Sequence, residues 1–244
     1  MQRWLPLIAG ALSLSACAGS QTAVQPIGLV ETHTPEPGWR AEVTADDAAR
    51  IAHLTATWQA ALAGVPRRYA STLTKEGDLL VADAGRDQPT PPPGSYRCRL
   101  VKIGPGARRE PPVRSFPDFF CYVRAEAGGG LSFAKQTGTD LPGGWLRPDG
   151  ERRLILVGAR QHEAGDTTLA YGTEPERDVI GVMERIGPFR WRLALPWRTG
   201  PAGLDVYEMT PVPTEQQAEE PRVRTTAATP APVPDAGAGR PSNP

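Results

Sequence analysis

From Ser95 to Thr210 the chain is a series of short apolar and aromatic stretches, each closed by Gly, Pro or Asp. The stretches are Tyr96–Ile103, Phe119–Glu126, Leu131–Lys135, Trp145–Leu146, Arg153–Val157, Thr168–Tyr171, Val179–Ile186, Arg190–Leu195 and Leu204–Met209. Gly128-Gly129-Gly130, Arg147-Pro148-Asp149-Gly150 and Gly187-Pro188 supply the turns. Runs this short cannot form long helices, and turns this frequent leave little room for crossover connections. The pattern predicts a mainly β domain of about eight strands, either a small up-and-down barrel or a sandwich. The barrel is preferred, because consecutive short connections favour hairpins.

One amphipathic helix precedes the strands. Thr44 is a good N-cap, Asp47 follows three residues later, and Asp46 and Asp47 suit the positive end of the helix dipole. Ile51, Leu54, Trp58 and Leu62 then recur on one helical face, and Gly64 with Pro66 stops the run. Such a helix would cover a sheet edge or plug one mouth of a barrel. Leu79-Leu80-Val81 is compatible with a helical turn or a short strand, and Pro91-Pro92-Pro93-Gly94 ends any regular structure there. Residues 44–210 therefore form one domain.

The ends of the chain have a different character. Met1-Gln2-Arg3, an apolar run to Leu14, and Leu14-Ser15-Ala16-Cys17 have the order of a secretory signal over residues 1–16. The Leu-Ser-Ala-Cys ending resembles the bacterial lipobox. That resemblance implies that Cys17 is acylated (palmitate being the usual N-linked chain) and becomes the first residue of the mature protein. The following residue, Ala18 rather than Asp, implies sorting to the outer membrane, with the domain on its periplasmic side. Residues 17–43 read as the lipidated start and a flexible tether. Residues 211–244, dominated by Pro, Ala, Thr and Gly, read as a disordered tail. Gly (26) and Pro (27) make up more than a fifth of the 244 residues, which fits a domain shorter than the chain.

With Cys17 acylated, Cys98 and Cys121 remain as an even pair in an oxidising compartment, where a disulfide is expected. The alternatives are two buried thiols or a redox pair, although there is no Cys-x-x-Cys.

Several segments together resemble a proteobacterial secreted family defined only as a domain of unknown function. They are Pro93-Gly94-x-Tyr96-Arg97-Cys98-Arg99, then Leu131-x-Phe133-x-Lys135-x-Thr137-Gly138, and Gly144-x-Leu146 with Leu156-Val157-Gly158. Tyr171-Gly172, Arg177-Asp178, Arg185-Ile186-Gly187, Trp191-Arg192-Leu193 and Leu204-Asp205-Val206 complete the set. The resemblance spans roughly residues 45–211 and departs from the pattern at Thr199–Gly203. It implies no activity, cofactor or catalytic residue.

The residues themselves offer weak chemistry. Ser95, Ser115 and Ser132 with His53 and His162 could supply a hydrolase, but there is no Gly-x-Ser-x-Gly elbow. His162, Glu163 and Asp166 share one loop, yet no His-Glu-x-x-His or second nearby histidine completes a metal set, and His33 lies in the tether. Glu174, Glu176 and Asp178 surround Arg177; an Arg177–Asp178 ion pair with a structural role is the expectation. Phosphate-binding loops are absent, and no cofactor is implied. The balance of 27 basic against 27 acidic residues excludes nucleic-acid binding driven by global charge.

These readings lead to an outer-membrane-anchored periplasmic lipoprotein whose domain is a non-enzymatic binding or envelope-accessory module. Its partner would be an apolar ligand held in a hollow barrel or an envelope protein gripped by the rim of a filled one. The alternatives are a periplasmic protease or lysozyme inhibitor, acting through loops 104–118 and 160–178, and an envelope hydrolase.

Overall fold

The computed structural model describes residues 38–106, 110–165 and 169–216. The signal peptide, Cys17, His33, Asp166 and the tail beyond residue 216 lie outside the described residues.

Among the described residues, nine antiparallel strands follow a helical segment. They are β1 (Gly94–Ile103), β2 (Val113–Ser115), β3 (Phe119–Ala125), β4 (Leu131–Lys135), β5 (Leu141–Pro148), β6 (Leu154–Gln161), β7 (Asp178–Gly187), β8 (Arg190–Pro196) and β9 (Leu204–Pro211). Each strand from β3 to β9 pairs with the next, and β9 returns to β1 over eight residue pairs, from Tyr96↔Pro211 to Ile103↔Leu204. The result is a closed eight-stranded barrel with β2 as an extra strand. β2 lies on the same edge of β1 as β3: Val101 faces Ser115 and Cys98 faces Phe119. β2 and β3 thus form one line interrupted at Phe116-Pro117-Asp118, where a proline cannot donate to the ladder.

Alternation along the strands sorts the core into two layers. Tyr96, Cys98 and Leu100 on β1 point inward with Phe133, Leu156, Met183, Trp191, Leu193, Tyr207 and Met209. These large side chains fill the barrel, so it is a packed scaffold and not a hollow one. Val101, Ile103, Ile155, Val157, Ile180, Val182 and Val206 point outward, beneath the helical segment. Buried on both faces, β6, β7 and β9 carry near-continuous apolar runs in place of clean alternation.

Gly144 on β5 faces Gly158 on β6. A Cβ on Gly158 would lie 2.0 Å from the Gly143 carbonyl oxygen, and one on Gly144 would lie 2.4 Å from that of Val157. The pair lets the two backbones approach closely beside Phe133, whose register partner is Gly144.

The helical segment comprises α1 (Ala45–Ala52), α2 (Leu54–Ala63) and α3 (Ala70–Glu76). Thr44 caps α1 as expected, its Oγ1 accepting from the Asp47 N–H at 3.2 Å. The single expected helix breaks at His53, whose φ of −94° and ψ of 7° leave the helical region. Ile51, Leu54, Trp58 and Ala61 pack with the outer side of the barrel. The segment neither covers an edge nor plugs a mouth: a closed barrel has no free edge, and the apolar outer faces of β6–β9 and β1 require a cover. Each such fully buried side chain contributes roughly 1.5–3 kcal/mol.

Other local expectations change as well. Leu79 and Leu80 are buried in a 3-10 turn after α3, which settles their ambiguity towards helix. No strand forms at Leu169–Tyr171, and β2 was not anticipated. The described fold also extends past both expected domain limits. Trp39, 2% exposed, enters the helical core from within the expected tether. Val212 is buried, and its N–H donates to the Ser95 carbonyl at 2.9 Å, beyond the expected start of the tail.

A filled barrel with one closed end and one polar mouth

The two ends of the barrel differ. At the end where β1 and β8 begin, the Pro89–Pro93 segment forms a lid. The Trp191 indole N–H donates to the Pro89 carbonyl at 3.0 Å, and the Tyr96 hydroxyl donates to the Pro92 carbonyl at 2.5 Å. The two rings meet edge to face, 6.1 Å between centroids. Proline suits this position, because it exposes carbonyls as acceptors without adding an N–H that needs a partner.

The opposite end is polar. Lys102 on β1 and Asp205 on β9 are register partners, with Nζ 2.8 Å from Oδ2. The other oxygen of Asp205 accepts from the Trp197 indole N–H at 2.7 Å. Asp140 accepts from Arg160 Nε, and its second oxygen lies 3.9 Å from Lys102 Nζ. Asp140 adopts φ of +54°, a conformation that Asp tolerates better than most residues. That turn directs the Thr139 and Asp140 carbonyls at Lys135 Nζ. Burial pushes the Lys135 ammonium below its ordinary pKa, with Asp140 opposing the shift and Lys102 adding to it.

Around the rim, Arg198 donates to the Pro175 and Asp178 carbonyls at 2.7 and 3.0 Å and to Asp47 Oδ2 at 3.1 Å. Asp47 also accepts from Arg50 and from the Tyr171 hydroxyl, so α1 is tied to the mouth through its first turn. Below the rim the Tyr207 hydroxyl is buried without a hydrogen-bond partner among the described residues. Burial holds its pKa well above the ordinary phenol value, and Asp140 and Asp205 add to the shift. A cavity of about 410 Å3 opens here, lined by Lys102, Asp140, Arg160, Trp197, Arg198 and Asp205 among others. A second groove, of about 550 Å3, runs between the end of α2 and the Gly104–Gly106 turn and is lined largely by Gly, Ala and Pro.

The sequence-derived site residues have separate fates. Cys98 and Cys121 form a disulfide with a Cα separation of 6.0 Å, a diagonal link between β1 and β3 inside the barrel. The expected Arg177–Asp178 ion pair does not form. Arg177 closes a turn, its N–H donating to the Glu174 carbonyl at 2.8 Å, and β7 begins only at Asp178, so the two side chains take separate partners. Arg177 donates to the Arg160 and Gln161 carbonyls and lies 3.8 Å from Glu174. Asp178 accepts from the Gly172 N–H at 2.8 Å. Burial raises the Asp178 pKa, with Asp47 and Glu176 adding to the shift and Gly172 and Arg198 opposing it.

His162 is 2.9 Å from Glu174, Ser132 donates to Glu126, and Ser115 accepts from Arg99. Ser115, Ser132 and His162 are thus each engaged elsewhere, Ser95 lies in β1 with its backbone carbonyl accepting from Val212, and His53 is an exposed residue between α1 and α2. Among the described residues, no group of three or more His, Cys, Asp or Glu side chains could hold a metal ion. The mouth residues form no local motif, because they are dispersed over five strands and three loops. Their signal was parity: Lys102 and Asp205 fall on the inward positions of otherwise apolar strands.

The profile of a family described as Domain of unknown function (DUF4893) matches residues 39–209, from the buried Trp39 to the penultimate inward-facing position of β9. The chain belongs to this family. A comparison with curated proteins finds no match. The limits of the DUF4893 match coincide with the folded unit: helical cover, barrel and polar mouth fall within it. The motif residues Cys98, Lys135, Gly144, Gly158 and Arg192 all hold structural positions in the DUF4893 barrel.

Proposed function

We propose that the protein is a lipid-anchored periplasmic accessory protein of the outer membrane whose barrel is a binding module working through its polar mouth. Leu14-Ser15-Ala16-Cys17 and the following Ala18 support the anchor and its location. The mouth reading rests on one contrast: the interior is filled by side chains and one end is lidded by proline, while the other end opens on a polar cavity. A filled interior argues against an apolar ligand held inside the barrel and favours recognition at the rim.

Two measurements test the two halves of this reading. Metabolic labelling with palmitate should mark the full chain and be lost in Cys17→Ser, with the variant leaving the membrane fraction. Labelling that survives in Cys17→Ser contradicts the anchor. Native mass spectrometry of the purified Cys17→Ser chain should give the bare mass of a filled scaffold. An apolar molecule released on denaturation would contradict the rim reading.

A second reading, inhibition of an envelope protease or lysozyme, is favoured by Phe189. This residue is 73% exposed at the tip of the β7–β8 hairpin, with φ of +50°. An exposed aromatic side chain at a hairpin tip suits insertion into a partner's cleft. Loss of inhibition in Phe189→Ala would establish it; a wild-type chain inert against both enzyme classes would end it.

A further inference from the structure

The polar mouth has the composition of a site for an uncharged polyhydroxylated ligand. Most of its charges are already matched: Lys102 to Asp205, Arg160 to Asp140, and Arg198 to Asp47, with Glu176 the exposed carboxylate left over. A wall of largely matched ions offers little net attraction to an anion or a cation. It does offer closely spaced donors and acceptors with fixed directions, which hydroxyl groups can meet in both roles.

Three further features point the same way. Trp197 is held by its N–H to Asp205 and lies on a shelf of two glycines. A Cβ on Gly203 would sit 2.3 Å from the indole ring, and one on Gly104 would sit 3.0 Å from it. An indole fixed in this manner is a flat apolar wall beside a polar one. The Tyr207 hydroxyl is 0% exposed and unpartnered, and it lies in the field of Asp140, Asp205 and Arg160, all of which line the cavity. Finally, Glu176 lines the cavity as an exposed carboxylate with no hydrogen bond or ion pair to other described residues. A volume of about 410 Å3 falls within the range of small-molecule sites.

We infer that the barrel mouth binds a neutral saccharide, with a pyranose ring against Trp197 and its hydroxyls on Asp140, Asp205, Arg160 and Glu176. This rests on the reading of the mouth as the binding surface.

The test is saturation-transfer NMR on the full Cys17→Ser chain with cellobiose and N,N′-diacetylchitobiose as probes, and with inorganic phosphate and spermidine followed by titration calorimetry. The expected result is transfer to at least one disaccharide. Trp197→Ala should weaken that binding about ten-fold or more. Glu176→Gln, a change at an exposed unpaired residue, should weaken it about three- to ten-fold without altering the melting temperature. Binding of phosphate or spermidine that is sensitive to Glu176→Gln, without saccharide binding, would overturn the ligand class and keep the mouth. Saccharide binding indifferent to both variants, or no probe bound at all, would overturn the mouth as the site.

Discussion

The guanidinium of Arg192 lies 4.5 Å from the centre of the Trp58 ring, between β8 and α2. It is 0% exposed. Its donors reach the carbonyls of Asp78, Leu79, Val81 and Ala82, and two of them meet Glu184. One side chain therefore joins the barrel wall, α2 and the turn after α3. Trp58 returns the link by donating to the Leu80 carbonyl at 2.9 Å.

Removing this cation takes a donor from four carbonyls and a carboxylate, and only the Asp78 and Val81 carbonyls keep a backbone donor among the described residues. Arg192→Ala is expected to cost on the order of 3–5 kcal/mol, measured as the shift of the urea midpoint. Arg192→Lys should rescue only part of it, because an ammonium cannot reproduce the planar fork.

The Cys98–Cys121 bridge closes a 23-residue separation between β1 and β3. The Cys98→Ala/Cys121→Ala chain should lose roughly 3 kcal/mol relative to the oxidised wild type. Dithiothreitol should destabilise the wild type by a similar amount and leave the double variant unchanged. Denaturant curves with and without reductant supply the comparison.

Gly158 has no room for a methyl group, because backbone and not side chain meets it. Gly158→Ala should destabilise by about 1–3 kcal/mol or more, since β5 and β6 must separate. Gly150→Ala is the control: nothing lies within 4 Å of its added Cβ, so its cost comes from φ of +79° alone. Thermal melts of both variants give the ranking, and equal losses would contradict it.

Burial raises the phenol pKa values of Tyr96 and Tyr207. For an acid whose folded pKa exceeds its unfolded one, the folded state holds its proton longer. The associated stability is complete below the unfolded value of about 10 and falls as pH rises beyond it. In an alkaline titration, phenolate absorbance from these two residues should therefore appear together with loss of the folded circular dichroism signal. Replacing Tyr207 by Phe should remove one of the two and reduce the alkaline sensitivity.

The strand pattern was legible because inward and outward residues alternate and turns carry Gly, Pro and Asp. The thiol pair was legible by counting. Less could be read where two faces are buried: Val179-Ile180-Gly181-Val182-Met183 shows no alternation, since α1 and α2 cover what would otherwise face water. The second half of the helical segment was hidden for a different reason. Leu79 and Leu80 gain their environment from Arg192, more than a hundred residues later. The mouth was hidden by dispersal, with Lys102, Asp140, Arg160, Trp197 and Asp205 meeting only when the barrel closes. Arg177 and Asp178 misled by adjacency: one closes a turn on Glu174, the other opens β7, and each finds its own partners.

Closure of the barrel depends on β1 meeting β9, the first strand with the last. During synthesis, the N-terminal strand emerges roughly a hundred residues ahead of its partner. Until then one edge of β1 is unpaired, while the Cys98–Cys121 bridge to β3 can hold the early strands together. The Lys102–Asp205 contact cannot form before that last step either. The polar mouth therefore comes into existence only with the finished barrel, and a chain cut short before Leu204 would lack both the closing strand and the site.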